Sequence, residues 1–366
     1  MTSEKVAQYG RLEPMLAALE ALVRCESPSD DLGACRSVVT LASDIATRVL
    51  GVPAQIKEIE GRPVFWWGAE TPDVVILAHL DTVWPVGSYQ PIWEIKGDVL
   101  RGPGTFDMKA GFIQALYALK GIEGSVALIA TTDEETGSHC SKALIKEVSS
   151  KAKAVLVLEA SLDGKVKTGR KGTAMYQIAV HGLASHAGLE PEKGVNSTTE
   201  IAHIILKLSA LENSEHGTTV VPTLLSSGNT TNTVPDLATL DIDARSFSQS
   251  ELERVDREIR TLVAENPNAR IEVTGGLNRP PLQPSSTQAL YERAEKVAAA
   301  IGMPALGSAE VGGASDGNFA AAAGAQVLDG LGAVGGGAHA PHEWVSISSM
   351  QPRSDFLHAF IKDLLT

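Results

Sequence analysis

The stretch DVVILAHLD, Asp73 to Asp81, carries an unbroken apolar run from Val74 to Ala78 and then sets His79 and Asp81 at its end. A run this short and continuous marks a strand buried on both faces, because a half-buried strand would alternate. Such strands belong to largely parallel sheets covered by helices, so the segment points to an α/β architecture. Its neighbours agree. DMKAGFIQALYALKGI from Asp107 reads as a helix, SVALIATTD from Ser125 as a strand, and SKALIKEVS from Ser141 as a helix. KAVLVLEA, ending at Glu159 and Ala160, reads as another buried strand, and Leu12 to Leu22 has the apolar spacing of a helix.

From Thr173 the pattern changes. TAMYQIAVHG alternates like a half-buried strand; a helix follows within GVNSTTEIAHIILKLSALE. TTVVPTLLSS and NTVPDLATLDIDARS read as two strands, SQSELERVDREIRTLVAE as a helix and ARIEVTGG as a closing strand. The order β-α-β-β-α-β is that of a split, ferredoxin-like unit with helices on one face of an antiparallel sheet. Pro280 and Pro281 mark its end. The remainder returns to the first texture: a helix around Thr287 to Ile301, a Gly-rich loop, the short strand AQVLDG and a last helix. The expectation is a mixed, largely parallel α/β domain over 1–172 and 281–366, helices on both faces, interrupted by an α+β domain over 173–280.

Composition narrows the function. The chain has 366 residues, 31 basic and 44 acidic side chains, and a formal net charge of −13. Nucleic-acid binders gain affinity by neutralising phosphates, and anionic membranes attract basic surfaces, so neither partner is expected. No apolar run reaches the roughly 18–20 residues of a spanning helix. The opening MTSEKVAQYGRLEP lacks the basic-then-apolar order of a secretion signal. Cys25, Cys35 and Cys140 cannot all pair, and none has zinc-ribbon spacing. A cytoplasmic enzyme of small-molecule or short-peptide chemistry is the natural reading.

In open α/β sheets ligands gather beyond the carboxyl ends of the strands. The polar residues there are His79 and Asp81, then Asp133, Glu134 and Glu135 in TTDEETG, then Glu159. Asp107 opens the segment DMKAG, and His339 follows AQVLDG across GLGAVGGGAHA. Each alone is explained by a helix cap or a solvated turn. Together, carboxylates this close repel unless a cation neutralises them. Imidazoles with carboxylates suit zinc, manganese or cobalt. Spacing by itself leaves the metal site and the chance cluster equally open.

HLDTV, GPGTFDMKAG, TTDEETGS, VLEAS, ASHAG and GGGAHAPHEWV resemble, in order, the signature segments of the zinc carboxypeptidase and aminoacylase family, glutamate carboxypeptidase type. The resemblance runs from about Leu12 to the last helix. It implies two divalent ions, zinc first, and an inserted lid that dimerises, hence a homodimer. His79 and Glu159 resemble the ligands of one ion, Glu135 and His339 those of the other, and Asp107 the bridging carboxylate. Asp81 resembles the residue that hydrogen-bonds His79 from behind, and Glu134 the general base acting on a metal-bridging water; Asp133 is left a structural role. His186 resembles the stabiliser of the developing oxyanion, often supplied by a partner subunit, against the alternative of an exposed loop imidazole. Asn232 and Arg245 resemble holders of the substrate carboxylate; a surface ion pair is the other reading of Arg245. Gly312 and Gly313 match a glycine segment of the cleft or a plain tight turn. His339 is preferred to His342 by its spacing to Glu343. The peptide after Asp107 is expected to be cis.

The implied activity is hydrolysis of an amide or peptide bond, releasing a C-terminal amino acid, glutamate being the first candidate. N-acyl-amino-acid deacylation is the alternative, and an idle binding protein on this fold a third. Glu159, where a succinyl-diaminopimelate enzyme would favour Asp, leans toward the carboxypeptidase branch.

Overall fold

A computed structural model describes residues 11–366. The first ten residues of the expected catalytic domain, MTSEKVAQYG, lie outside the described residues. The chain divides into two compact units. One runs up to Gly169 and resumes over Gln283–Val311 and Ser315–Thr366; the other is Arg170–Leu282 with Gly312–Ala314.

In the first unit six strands form a sheet in the order Gln55–Ile59, Arg62–Gly68, Val126–Thr131, Val74–His79, Ala154–Val157, Val327–Leu328. The last four pair in parallel, and the first two form an antiparallel hairpin attached to one side. Every side chain of Val74–His79 and Val126–Thr131 is buried, so both sheet faces are covered. The core packs Phe65, Ile76 and Leu128 of the sheet with Leu22, Phe112 and Phe360 of the helices. This is the mixed, largely parallel α/β sheet expected from DVVILAHLD.

Register fixes where the polar residues emerge. His79 lies beside Thr131 and Leu77 beside Val157. The segments HLD, TTDEETG and LEAS therefore leave the sheet along one rim, as parallel strands require.

Some expectations need correction. The helix expected from Asp107 begins at Ala110 (Ala110–Ala118). Before it, Thr105–Lys109 forms a wide turn in which Asp107 and Met108 leave helical φ/ψ, entered from Gly104 at φ +66°. The Asp107–Met108 peptide is cis, as the resemblance implied. The helix Leu32–Leu50 was not anticipated, although Asp31 caps its start by accepting from the Ala34 N–H and Gly51 closes it at φ 79°.

In the second unit the strand order is Thr219–Ser227, Leu237–Ser246, Gly172–His181, Arg270–Arg279, all antiparallel. Ala174, Tyr176, Ile178 and Val180 alternate inward and pack with Leu240 and Ile242 against Ile201, Ile204 and Leu208 of the helix Ser197–Ser209. Leu252, Val255 and Ile259 of the helix Gln249–Arg260 complete this core.

Candidate metal centre

Within the first unit the carboxylate of Asp107 lies between two imidazoles. Its Oδ1 is 3.2 Å from His79 Nε2 and its Oδ2 is 3.4 Å from His339 Nε2. Each ring meets a second carboxylate: Glu159 Oε1 is 3.7 Å from His79 Nε2, and Glu135 Oε2 is 2.9 Å from His339 Nε2. Side-chain oxygens and nitrogens of His79, Asp107 and Glu135 lie within 4.8 Å of one another, as do those of His79, Glu134 and Glu159. The five side chains that the resemblance names as ligands are thus neighbours in space, with Glu134 beside them.

Chain geometry explains the convergence. His79 ends its strand and Glu159 follows the next one. Glu134 and Glu135 sit in a single short helical turn, Glu134–Thr136, which Gly137 closes at φ 96°. Asp133, the third acid of the run, faces away: its Oδ2 accepts from the N–H groups of Cys140 and Ser141. His339, two residues after Gly337, is held at φ 59°, a left-handed conformation that only a few per cent of non-Gly residues adopt, Asn, Asp and His most readily.

Behind the centre, His79 Nδ1 is 3.1 Å from the backbone oxygen of Asp81 and 3.5 Å from its carboxylate. The expected support from Asp81 therefore runs through its carbonyl more closely than through its side chain. Asp81 Oδ2 accepts from Ser29 Oγ at 2.7 Å and from the Glu135 N–H at 3.2 Å, which ties the HLD segment to the Glu134–Glu135 turn. Glu343, noted in the sequence only for its spacing, is 1% exposed and accepts from the N–H groups of Gly104, Phe106 and Asp107. Ser29 is marked by no sequence pattern and Glu343 only by its place in GGGAHAPHEWV, since each acts through a contact distant along the chain.

The charges are strongly coupled. Burial would lower the pKa of His79, but hydrogen bonds to Asp107 and Asp81 outweigh it and hold it well above the ordinary value. Hydrogen bonds to Asp107 and Glu135 push His339 up to about 10. Burial raises Glu135 and opposes the bonds from His339 and His79 that pull Asp107 below the usual carboxylate range. Burial pushes Glu343 up to about 7 against the pull of its N–H donors. Divalent cations fit the same donor set: two imidazole–carboxylate pairs, mixed N and O, sharing one carboxylate with an oxygen turned to each pair.

The residues expected to bind substrate lie in the second unit. His186 is exposed, and its Nδ1 accepts from the N–H groups of Gly188 and Leu189, both at 3.1 Å. Asn232 accepts the Ala187 N–H on its backbone oxygen, so these two residues share one loop cluster. Arg245 Nε and Nη2 each donate to Asp243 at 2.8 Å, and Nη1 donates to the Gly312 oxygen at 3.2 Å. One edge of this guanidinium is therefore engaged by a carboxylate of its own strand.

Residues 75–363 match the family described as peptidase family M20/M25/M40. The chain is 29% identical over 306 residues to carboxypeptidase G2 of Pseudomonas sp. (strain RS-16), covering 80% of this chain and 74% of that protein. It is 26% identical over 320 residues to succinyl-diaminopimelate desuccinylase of Sulfurovum sp. (strain NBC37-1), covering 80% and 84%. In fold it is similar to the M20 family metallo-carboxypeptidase Sso-CP2 of Sulfolobus solfataricus, with a TM-score of 0.73 at 19% identity over 95% of this chain and 98% of that one. It is likewise similar to aminopeptidase PepT of Bacillus cereus, with a TM-score of 0.73 at 23% identity over 97% and 99%. With this match over most of its length and the clustered imidazoles and carboxylates, the chain belongs to peptidase family M20/M25/M40, a family of metal-dependent hydrolases.

Proposed function

We propose that the protein hydrolyses an amide bond and releases a C-terminal amino acid, glutamate first among the candidates, from an acyl or peptidyl substrate. The observation that carries this is Asp107, whose two oxygens face two separate imidazole–carboxylate pairs with Glu134 alongside. His79 and Glu159 would hold one divalent ion, His339 and Glu135 the other, and Asp107 both, with zinc ahead of manganese or cobalt. When bound, two such cations polarise a scissile carbonyl and lower the pKa of a water between them. We assign this chemistry to 1–172 with 281–366, and the lid to 173–280.

The chain's own groups do the rest. Glu134 takes the proton of the attacking water and later gives it to the leaving amine nitrogen. Asp81 steadies the His79 ring and the Glu134–Glu135 turn together. On His186, two backbone N–H groups at Nδ1 leave the ring proton on Nε2, the donor needed by a developing oxyanion. Arg245, aimed by Asp243, and Asn232 receive the substrate carboxylate; a guanidinium suits that anion because its donors match two oxygens at once.

Deacylation of N-acyl amino acids is the second reading, favoured by the desuccinylase among the relatives. A screen of N-acyl amino acids and dipeptides with varied C-terminal residues, run with zinc, manganese and cobalt, separates the two. Preference for acidic C-terminal residues supports the carboxypeptidase. Indifference to them, with sensitivity to the acyl group, supports the deacylase, and no hydrolysis with any metal would sink both.

We also infer a homodimer. The strand Thr219–Ser227 is a sheet edge carrying the exposed side chains Val221, Leu224 and Leu225, the kind of edge that pairs with another chain. A cytoplasmic location accords with three free cysteines, and among the described residues no helix is long and apolar enough to cross a membrane.

A further inference from the structure

We propose that Glu343 is a positioning residue for the centre, one carboxylate that sets both the Asp107 peptide and the loop carrying His339. The inference rests on reading Asp107 and His339 as metal ligands.

Glu343 is almost fully buried, and a carboxylate withdrawn from water persists only where donors replace its hydration. Four donors converge on it. Oε1 accepts from the Phe106 N–H at 2.8 Å and the Asp107 N–H at 3.1 Å. Oε2 accepts from the Gly104 N–H at 3.0 Å and the Trp84 indole N–H at 3.3 Å. The Tyr89 hydroxyl donates to its backbone oxygen at 3.2 Å, and the Trp84 and Tyr89 rings meet edge to face 4.9 Å apart.

Two features separate this from an ordinary turn cap. The donors include the N–H of Asp107 itself and of the residue before it, in a turn whose φ/ψ is not helical, so the usual i−4 carbonyls do not define it. Glu343 also stands four residues after His339, immediately before Trp344–Ser346, which pairs with Val99–Arg101. The carboxylate therefore joins the turn of one ligand to the loop of another, across more than two hundred residues of sequence. Donor sets must hold within about 0.5 Å to bind metal well, and losing a supporting partner commonly weakens affinity about 10- to 100-fold.

The test compares wild type, Glu343→Gln and Trp84→Phe, each stripped of metal. Cobalt is titrated by visible absorption, and zinc affinity is measured against a competing chelator. Glutamine turns an amide N–H₂ toward two of the donors, so Glu343→Gln should bind zinc 10- to 100-fold more weakly and shift the cobalt spectrum, with near-native circular dichroism. Trp84→Phe removes one donor and should move both readouts the same way by a few-fold. Unchanged affinity and spectrum in Glu343→Gln would overturn the proposal. Should that variant fail to fold, wild-type behaviour of Trp84→Phe would overturn it instead. Wild-type protein that takes up neither metal would sink the reading of the centre itself, a result distinct from equal uptake by all three.

Discussion

Asp107 has an imidazole at each oxygen, and Glu134 stands close to His79 and Glu159 while its neighbour Glu135 meets His339. Adjacent chain positions thus serve different ends because a tight turn sends their side chains apart. If Glu134 moves the proton, Glu134→Gln should keep metal binding and lose roughly 100- to 10,000-fold in kcat, measured on the best substrate of the screen. A variant within a few-fold of wild type would remove Glu134 from the reaction. A second residue reports on the core. Burial pushes the thiol of Cys35 up to about 11, from the 9.0 of an ordinary thiol. The folded chain holds that proton more tightly than the unfolded one. The resulting stability is full below pH 9 and is lost as pH rises toward 11, by roughly 2–3 kcal/mol. Cys35→Ala should flatten the alkaline fall in urea midpoint over that window; parallel curves for both proteins would refute this.

At the scale of elements, the helix Ser197–Ser209 starts at Asn196, whose side chain accepts from the N–H groups of Thr198 and Thr199. Asn196→Ala should destabilise the second unit by about 0.5–2 kcal/mol, read as a lower midpoint in denaturant unfolding. The central strands were legible from sequence because Val74 to Ala78 is apolar without interruption, which only a strand covered on both faces tolerates. The hairpin Gln55–Ile59 with Arg62–Gly68 was not. Its outer strand, QIKEI, is mostly exposed on both sides and leaves no alternation to read. The start of the helix at Ala110 was misread for a different reason. Asp107 and Met108 leave helical φ/ψ, and nothing in their residue types announces that turn before Ala110. His79, Glu135 and Glu159 were visible as polar residues at strand ends, and the family resemblance gave them roles. What Glu343 and Ser29 hold was invisible, because it is far away in the chain.

For the whole molecule, net charge of −13 favours small substrates over polyanions, and the exposed edge Thr219–Ser227 is where the proposed homodimer is tested. Leu224→Lys places a charge on that edge and should shift the mass seen by light scattering from dimer to monomer without lowering helix content. Unaltered dimers would move the interface elsewhere. The two-ion reading of the centre is open to direct observation in crystals grown with zinc. An anomalous difference map at the zinc edge should give two peaks in each chain, one beside His79 and Glu159, the other beside Glu135 and His339, both against Asp107. A single peak there, or zinc bound only at other sites, would contradict it.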